Sequence, residues 1–289
     1  MIGEKMIVAI NYADSTYKEA QKFNTKTAYK FGKVDKVIEY GPENIDADFK
    51  ERNKETFKLN DKRAGKFGLW RPHIIMDALN QAEMGDYIFY SDSGASFVKP
   101  VRNLIDIMQR DNVDIMVFDM KNNIEKFYTK RDIFVYLDCD KKKYTDTPQR
   151  CSTYFLFKKT ENTLHFFKEY YELTLKAPYL FTDEENKLGY PNYPEFIDTR
   201  HNQSVLSVLS KKYGVEAYWD LSQWGIGTGI IEKIKIRKER IKLGMNYPMI
   251  MLSHRRKKVY WYTFVIIAFQ NMFPKICKGL ITIKAKLHK

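Results

Sequence analysis

An α/β fold with a mostly parallel sheet is what this 289-residue sequence predicts, on three observations. Short apolar runs bounded by turn residues alternate with segments whose apolar positions recur at helical spacing. That alternation is the pattern of strands joined by crossover helices. The length allows one or two domains and a core large enough to need no staple.

The elements follow in order along the chain. Met6 to Ile10 reads as a buried strand, with Asn11-Tyr12-Ala13-Asp14 as the loop after it. Thr16 and Glu19 have capping-box spacing and open a helix to about Phe31. Val34 to Tyr40 is a second strand, stopped by Gly41-Pro42. Asp46 to Gly65 is polar and reads as loop plus weak helix. Pro72 suits the first turn of a helix carrying Ile74, Ile75, Ala78 and Leu79, and Gly85 closes it. Tyr87 to Tyr90 is a strand, Pro100 opens a helix from Val101 to Arg110, and Asp114 to Met120 is a strand. Thr129 and Asp132 box a helix through Leu137. Ser152 to Phe157 is a strand and Glu161 to Leu175 a helix. A last helix runs from Asn202 to Tyr213, ended by Gly214.

The charge divides the chain in two. The formal net charge is +13, from 49 Lys plus Arg against 36 Asp plus Glu. Residues 229–289 hold 15 basic and two acidic residues, and residues 1–228 are balanced at 34 of each. The expected organisation is therefore a charge-balanced body, 1–228, and a basic amphipathic C-terminal segment, 229–289, that reaches back to the body's site around residue 254 and meets a membrane. In that segment Ile234, Ile236 and Ile241 lie among Lys and Arg, and His254 to Lys258 is a dense basic cluster. Val259 to Phe273 follows, almost wholly apolar. As a helix its 15 residues span about 22 Å, short of the roughly 20 residues needed to cross a bilayer. Tyr260, Trp261 and Tyr262 suit a headgroup boundary, and the lysines suit anionic lipid. Residues 255–289 are thus expected to meet an anionic membrane surface; burial of 259–273 in the core is the other reading. The apolar stretch and the lack of a binding motif argue against nucleic acid. Cys139, Cys151 and Cys277 are widely spaced, which excludes a disulfide framework and a cysteine zinc site and suits a reducing compartment. Met6 to Ile10 is too short for a signal core. The expected location is cytoplasmic, peripheral on the inner face of the membrane.

In such sheets ligands bind outside the carboxyl ends of the strands. The strand Tyr87 to Tyr90 delivers Ser91-Asp92-Ser93-Gly94 there. A strand-end carboxylate suits Mg²⁺ or Mn²⁺ carrying a diphosphate, since hard cations prefer oxygen. An ordinary turn is the other reading of that loop.

Six blocks, in order, resemble bacterial glycosyltransferases of capsular polysaccharide and lipopolysaccharide O-chain assembly. They are Arg63-Ala-Gly-Lys-Phe-Gly-Leu-Trp-Arg-Pro-His-Ile-Ile75, Gly85 to Gly94, Thr129-Lys-Arg-Asp132, Thr147-Pro-Gln149, Arg200 to Ser207 and His254-Arg-Arg-Lys257. The resemblance spans about residues 5 to 258. It implies a single Rossmann-like glycosyltransferase-A domain, a nucleotide-sugar donor, most naturally a UDP-sugar, and a lipid-linked glycan acceptor. In that family an Asp-x-Asp motif holds the metal and the diphosphate. Asp92 matches its first Asp, and Gly94 stands where the second should be, which removes one of the two carboxylates. His254 matches a metal- or pyrophosphate-binding histidine, so a divalent cation would rest on Asp92 and His254. The same resemblance makes Asn11, Tyr12, Arg63, Lys66, Trp70, Ser93, Gly94, His201 and Arg255 candidates for holding the nucleotide sugar. Asn202-Gln203 looks like the Asp-Gln block beside the donor sugar in retaining relatives; with an amide in place of that carboxylate, Asn202 cannot act as a nucleophile. Asn202 also reads as a plain N-cap, Trp70 as core, and His254 to Lys258 as headgroup contacts. Asp198 and Glu195 are the nearest carboxylates to that block, and Asp198 is the favoured proton acceptor. A sugar- or nucleotide-binding protein without catalysis is the alternative reading.

Overall fold

The computed structural model describes residues 5–58, 66–227 and 229–260. Arg63 and nearly all of the apolar segment 259–273 lie outside them, as do the lysines beyond it. The strands are β1 (Ile7–Tyr12), β2 (Lys36–Tyr40), β3 (Tyr87–Ser91), β4 (Ala95–Phe97), β5 (Ile115–Ile124), β6 (Pro148–Arg150), β7 (Tyr154–Lys158), β8 (Ala217–Tyr218) and β9 (Met251–Ser253). The helices are α1 (Lys18–Thr27), α2 (Ala47–Arg52), α3 (Lys54–Lys58), α4 (Trp70–Gln81), α5 (Arg102–Asp111), α6 (Arg131–Tyr136), α7 (Lys142–Thr145), α8 (Glu161–Lys176), α9 (Asn202–Lys212) and α10 (Gly229–Lys242).

A seven-stranded sheet has the order β2-β1-β3-β7-β5-β6, with β8 also paired to β5. β1 is parallel to β2 and β3, and β5 to β8; β7 and β6 run against their neighbours. Most strands thus share one direction, as the α/β expectation requires. Both faces are covered, which is why the strands read as continuous apolar runs. Val8 and Ile10 of β1 point with Ile88 and Tyr90 into a core shared with α4, α8 and α9. Ile7 and Ala9 point with Tyr87 and Phe89 to the other face, against α5 and the residues of β9. The alternation is the two-residue period of the strand.

Residues 247–253 close into this second core. β9 pairs antiparallel with β4, matching Ala95 to Ser253 and Phe97 to Met251. Tyr247, Ile250 and Met251 are buried. Both ends of the Gln223 amide grip the Ser253 backbone, at 2.6 and 2.9 Å. So residues 247–253, beyond α10, pack as part of the body.

Two capping boxes read from the sequence do not form. α1 starts at Lys18 with no side-chain cap, and the Asp14 carboxylate takes the Thr16 N–H instead, at 2.9 Å. Before α6, Thr129 donates to buried Glu125 at 2.6 Å, and Asp132 accepts the Lys187 and Leu188 backbone N–H groups. At α1 a neighbouring carboxylate takes the backbone N–H, and at α6 Glu125 and the Lys187–Leu188 backbone take the side chains that a local cap would use.

Candidate functional site

The strand order turns back at β1. From β1 the chain goes through α1 to β2 on one side, and later to β3 on the other. Such a switch point opens a crevice at the carboxyl ends of the two strands. A cavity of about 400 Å³ lies there, lined by the ends of β1 and β3 (Tyr12 and Asp92), the start of α4 (Trp70, Arg71) and Arg255 beyond β9.

Its walls have distinct chemistry. Tyr12 stacks on Trp70 with centroids 3.8 Å apart and planes 13° from parallel. Trp70 is buried, at 9% exposure, and Tyr12 is only partly covered, so Tyr12 carries the face toward the cavity. Burial, with Asp14 and Glu43, pushes the Tyr12 phenol up to about 12, so it stays protonated. Ser93 Oγ donates to the Tyr12 carbonyl at 2.6 Å and ties the two strand ends together.

Arg71 organises the floor. Its Nη2 reaches Asp92 Oδ1 at 2.7 Å and its Nη1 reaches Ser152 Oγ at 2.8 Å. The same Nη1 donates to Asn202 Oδ1. The guanidinium carbon lies 4.8 Å from the Tyr90 ring centroid. Burial opposes this charge, but the Tyr90 and Asp92 neighbours outweigh it and the group stays cationic. Tyr90 OH also donates to Asp92 Oδ1, at 2.5 Å. Arg71 was not singled out in the sequence. Its one signal is a cation between Trp70 and Pro72 at the start of an apolar helix, where an ordinary surface arginine reads the same.

Gly94 has a specific partner. Its carbonyl accepts the His254 and Arg255 N–H groups at 3.0 and 2.8 Å. A Cβ at Gly94 would sit 3.2 Å from Arg255 Cα. So the backbone of Arg255 occupies the space beside Gly94, and Arg255 lines the cavity.

The candidate residues thus divide by position. Tyr12, Trp70, Asp92, Ser93, Gly94, His201, Asn202 and Arg255 share the lining. Asn202 is the first residue of α9 rather than its cap, and its amide also donates to the Phe67 carbonyl at 2.9 Å. His201 precedes it with φ +54°, and its Nε2 lies 2.7 Å from Asp183 Oδ1. Asn11 is fully buried and bonds Asn24 and Gln21, below the lining. Gln203 turns its amide to Gln149, at 2.7 Å. Asp198 stands outside the lining, half-exposed near Arg200. Glu195 pairs with Lys126. The Lys66 side chain, like Arg63, lies outside the described residues.

The donor set fits a divalent cation poorly. Among the described residues, no three His, Cys, Asp or Glu side chains come together. Asp92 already gives one oxygen to Arg71 and Tyr90. His254 is buried, and its Nδ1 accepts the Arg256 N–H at 3.1 Å. In a neutral imidazole that places the proton on Nε2, the tautomer opposite to the one a metal on Nε2 needs. Burial, then Arg256, pushes this imidazole down to about 4, so it is neutral.

No family model matches the chain, and no curated protein matches it. Among solved structures it is similar to a glycosyltransferase involved in glycosylation of the major capsid of PBCV-1, with 12% identity, TM-score 0.42, and coverage of 86% of this chain and 93% of that one. It is similar to the bifunctional WbbM glycosyltransferase with 11% identity and TM-score 0.46, over 89% of this chain and 47% of that one. GlyE of Streptococcus pneumoniae TIGR4 aligns at 13% identity and TM-score 0.43, over 98% of this chain and 64% of its own. The chain thus spans about half of the WbbM chain. The identities and scores are low.

Proposed function

We propose that the chain is a glycosyltransferase of the glycosyltransferase-A type, moving a sugar from a nucleoside diphosphate donor to a glycan acceptor. One observation carries this reading: a cavity at the β1/β3 switch point whose lining includes an aromatic platform, Tyr12 on Trp70, and two arginines, Arg71 and Arg255. A nucleotide needs those two things, a stacking surface for its base and positive charge for its phosphates. Tyr12, backed by Trp70, would take the base, and a UDP-sugar is the natural donor. Arg71 would keep Asp92 and Asn202 fixed beside the sugar, and Asn202 would bond a sugar hydroxyl without acting as a nucleophile. His201 with Asp183 has the form of a base oriented by a carboxylate. It therefore competes with Asp198 for the acceptor proton, and its position in the lining favours it.

The acceptor is proposed to be a lipid-linked glycan of surface polysaccharide assembly, reached at the inner face of a membrane. What supports this is the basic segment. On α10 and beside it, Ile234, Ile241, Leu243 and Trp224 are exposed among Lys235, Lys238 and Lys242. An anionic bilayer offers partners to both kinds of side chain. No helix of the described residues is long and apolar enough to cross a membrane.

The test is sugar release or transfer by the purified chain across a panel of nucleotide sugars, with and without Mn²⁺. Turnover of at least one donor is expected. No turnover and no nucleotide binding with any donor would refute the reading. Binding without turnover would leave a sugar-nucleotide-binding protein.

A further inference from the structure

We infer that the site holds the donor's diphosphate with arginine rather than through a divalent cation, Arg255 being the main contact. The inference rests on the nucleotide-sugar reading of the cavity and sharpens it. A cation bridging a diphosphate needs carboxylate oxygens at the strand end, and this strand end offers one carboxylate, Asp92. Position 94 has no carboxylate. The Arg255 backbone fills the space beside it, and the same contact brings Arg255, with its guanidinium, to the rim of the site as a lining residue. The remaining carboxylate, Asp92, is bound by Arg71 and Tyr90 through one oxygen. A metal ion at Asp92 would have to compete with a guanidinium already 2.7 Å away. His254, the other candidate ligand, presents a protonated Nε2 that is buried and does not line the cavity.

The placement of Arg255 is built, not incidental. Its backbone is anchored from the N-terminal side: its own N–H and that of His254 donate to the Gly94 carbonyl, and Ser253 is gripped by Gln223. Arg255 also has φ +52°, a left-handed conformation that an arginine adopts only where neighbours impose it. A guanidinium is a planar, permanently charged donor that matches phosphate oxygens. Arg256, Lys257 and Lys258 follow directly and raise the local positive potential.

The experiment is calorimetric titration of the full chain with UDP, GDP and ADP, in EDTA and in Mn²⁺. Wild type, Arg255→Gln and Arg255→Lys are compared, and uridine serves as the phosphate-free control. At least one diphosphate should bind wild type within about threefold equally in EDTA and Mn²⁺. Arg255→Gln should weaken it tenfold or more in EDTA, as expected for a lost charge-assisted hydrogen bond, while leaving uridine affinity unchanged. Arg255→Lys should recover part of the loss. Diphosphate binding that requires Mn²⁺, an unaffected Arg255→Gln, or an equal loss for uridine each overturns the arginine clamp while leaving the nucleotide site standing. Binding of none of the three diphosphates overturns the nucleotide reading itself, and this inference with it.

Discussion

Replacing Gly94 with alanine adds one methyl group at the point where two distant segments meet. The added Cβ would lie 3.2 Å from Arg255 Cα, 3.6 Å from its N and 3.8 Å from its C. All three are backbone atoms, so no flexible side chain can swing away. They are also held in place, because the Gly94 carbonyl accepts both the His254 and Arg255 N–H groups. The methyl therefore pushes the β9 end away from the strand-end loop. Overpacking of this kind costs about 1–3 kcal/mol, and a broken backbone hydrogen bond about 1 kcal/mol more. For a chain of this size that corresponds to a melting temperature lower by roughly 2–4 °C per kcal/mol. The protein stays folded, since the ribbon is one small part of a large core. Arg255 moves out of register with the cavity, so nucleoside diphosphate affinity should fall by about tenfold or more. Thermal denaturation and calorimetric titration of the same preparation read both quantities. Gly94→Asp should behave the same way or worse, with no affinity gained in Mn²⁺. An alanine variant with unchanged melting and unchanged diphosphate affinity would refute the packing argument, and a Mn²⁺-dependent gain in Gly94→Asp would show that the position is a vacant metal ligand after all.

Three further outcomes follow from the same geometry. Tyr12→Leu removes the aromatic face and should weaken nucleoside binding by roughly 1–3 kcal/mol, about 5- to 160-fold, with equal effects on uridine and UDP; a change confined to UDP contradicts a base platform. His201→Asn should reduce turnover by 10²-fold or more, the usual worth of a general base, while Asp198→Asn changes it less than about twofold; the reverse result assigns the proton to Asp198. The His254 imidazole, pushed from 6.5 to about 4 by burial and by Arg256, stays neutral in the fold but gains a proton near 6.5 when unfolded. The unfolded state then binds more protons, so stability falls as pH drops from about 6.5 to about 4, by up to about 3 kcal/mol. His254→Asn, whose Oδ1 can accept the same Arg256 N–H, should flatten that slope in melts at about pH 7.5 and 5, and an unchanged slope contradicts the assignment.

The sheet was legible because its strands are buried on both faces, so Met6 to Ile10 and Tyr87 to Tyr90 stand out as apolar runs. Asp92 was legible for the same reason, as the first charged residue after such a run. What the sequence hides are pairings between distant polar residues. Asn11, Gln21 and Asn24 form a buried network whose members look like loop and surface residues one at a time. Arg71 depends on Asp92, Ser152 and Asn202, which come from three other segments. The β4–β9 ribbon has only three residues per strand, too few for a periodic signal. For that reason Gly94 reads as a missing carboxylate, and only the fold shows what fills its place. The two capping boxes failed in the opposite sense: at α1 the pattern lost to a neighbouring Asp14 turn, and at α6 Asp132 was taken by the Lys187–Leu188 backbone.

The most direct measurement is a crystal structure of the full chain grown in EDTA with UDP. The account predicts the base against the Tyr12 ring and the diphosphate within hydrogen-bond distance of the Arg255 guanidinium, at the ends of β1 and β3. UDP seated elsewhere on the molecule, or a cavity that stays empty at saturating UDP, would contradict it.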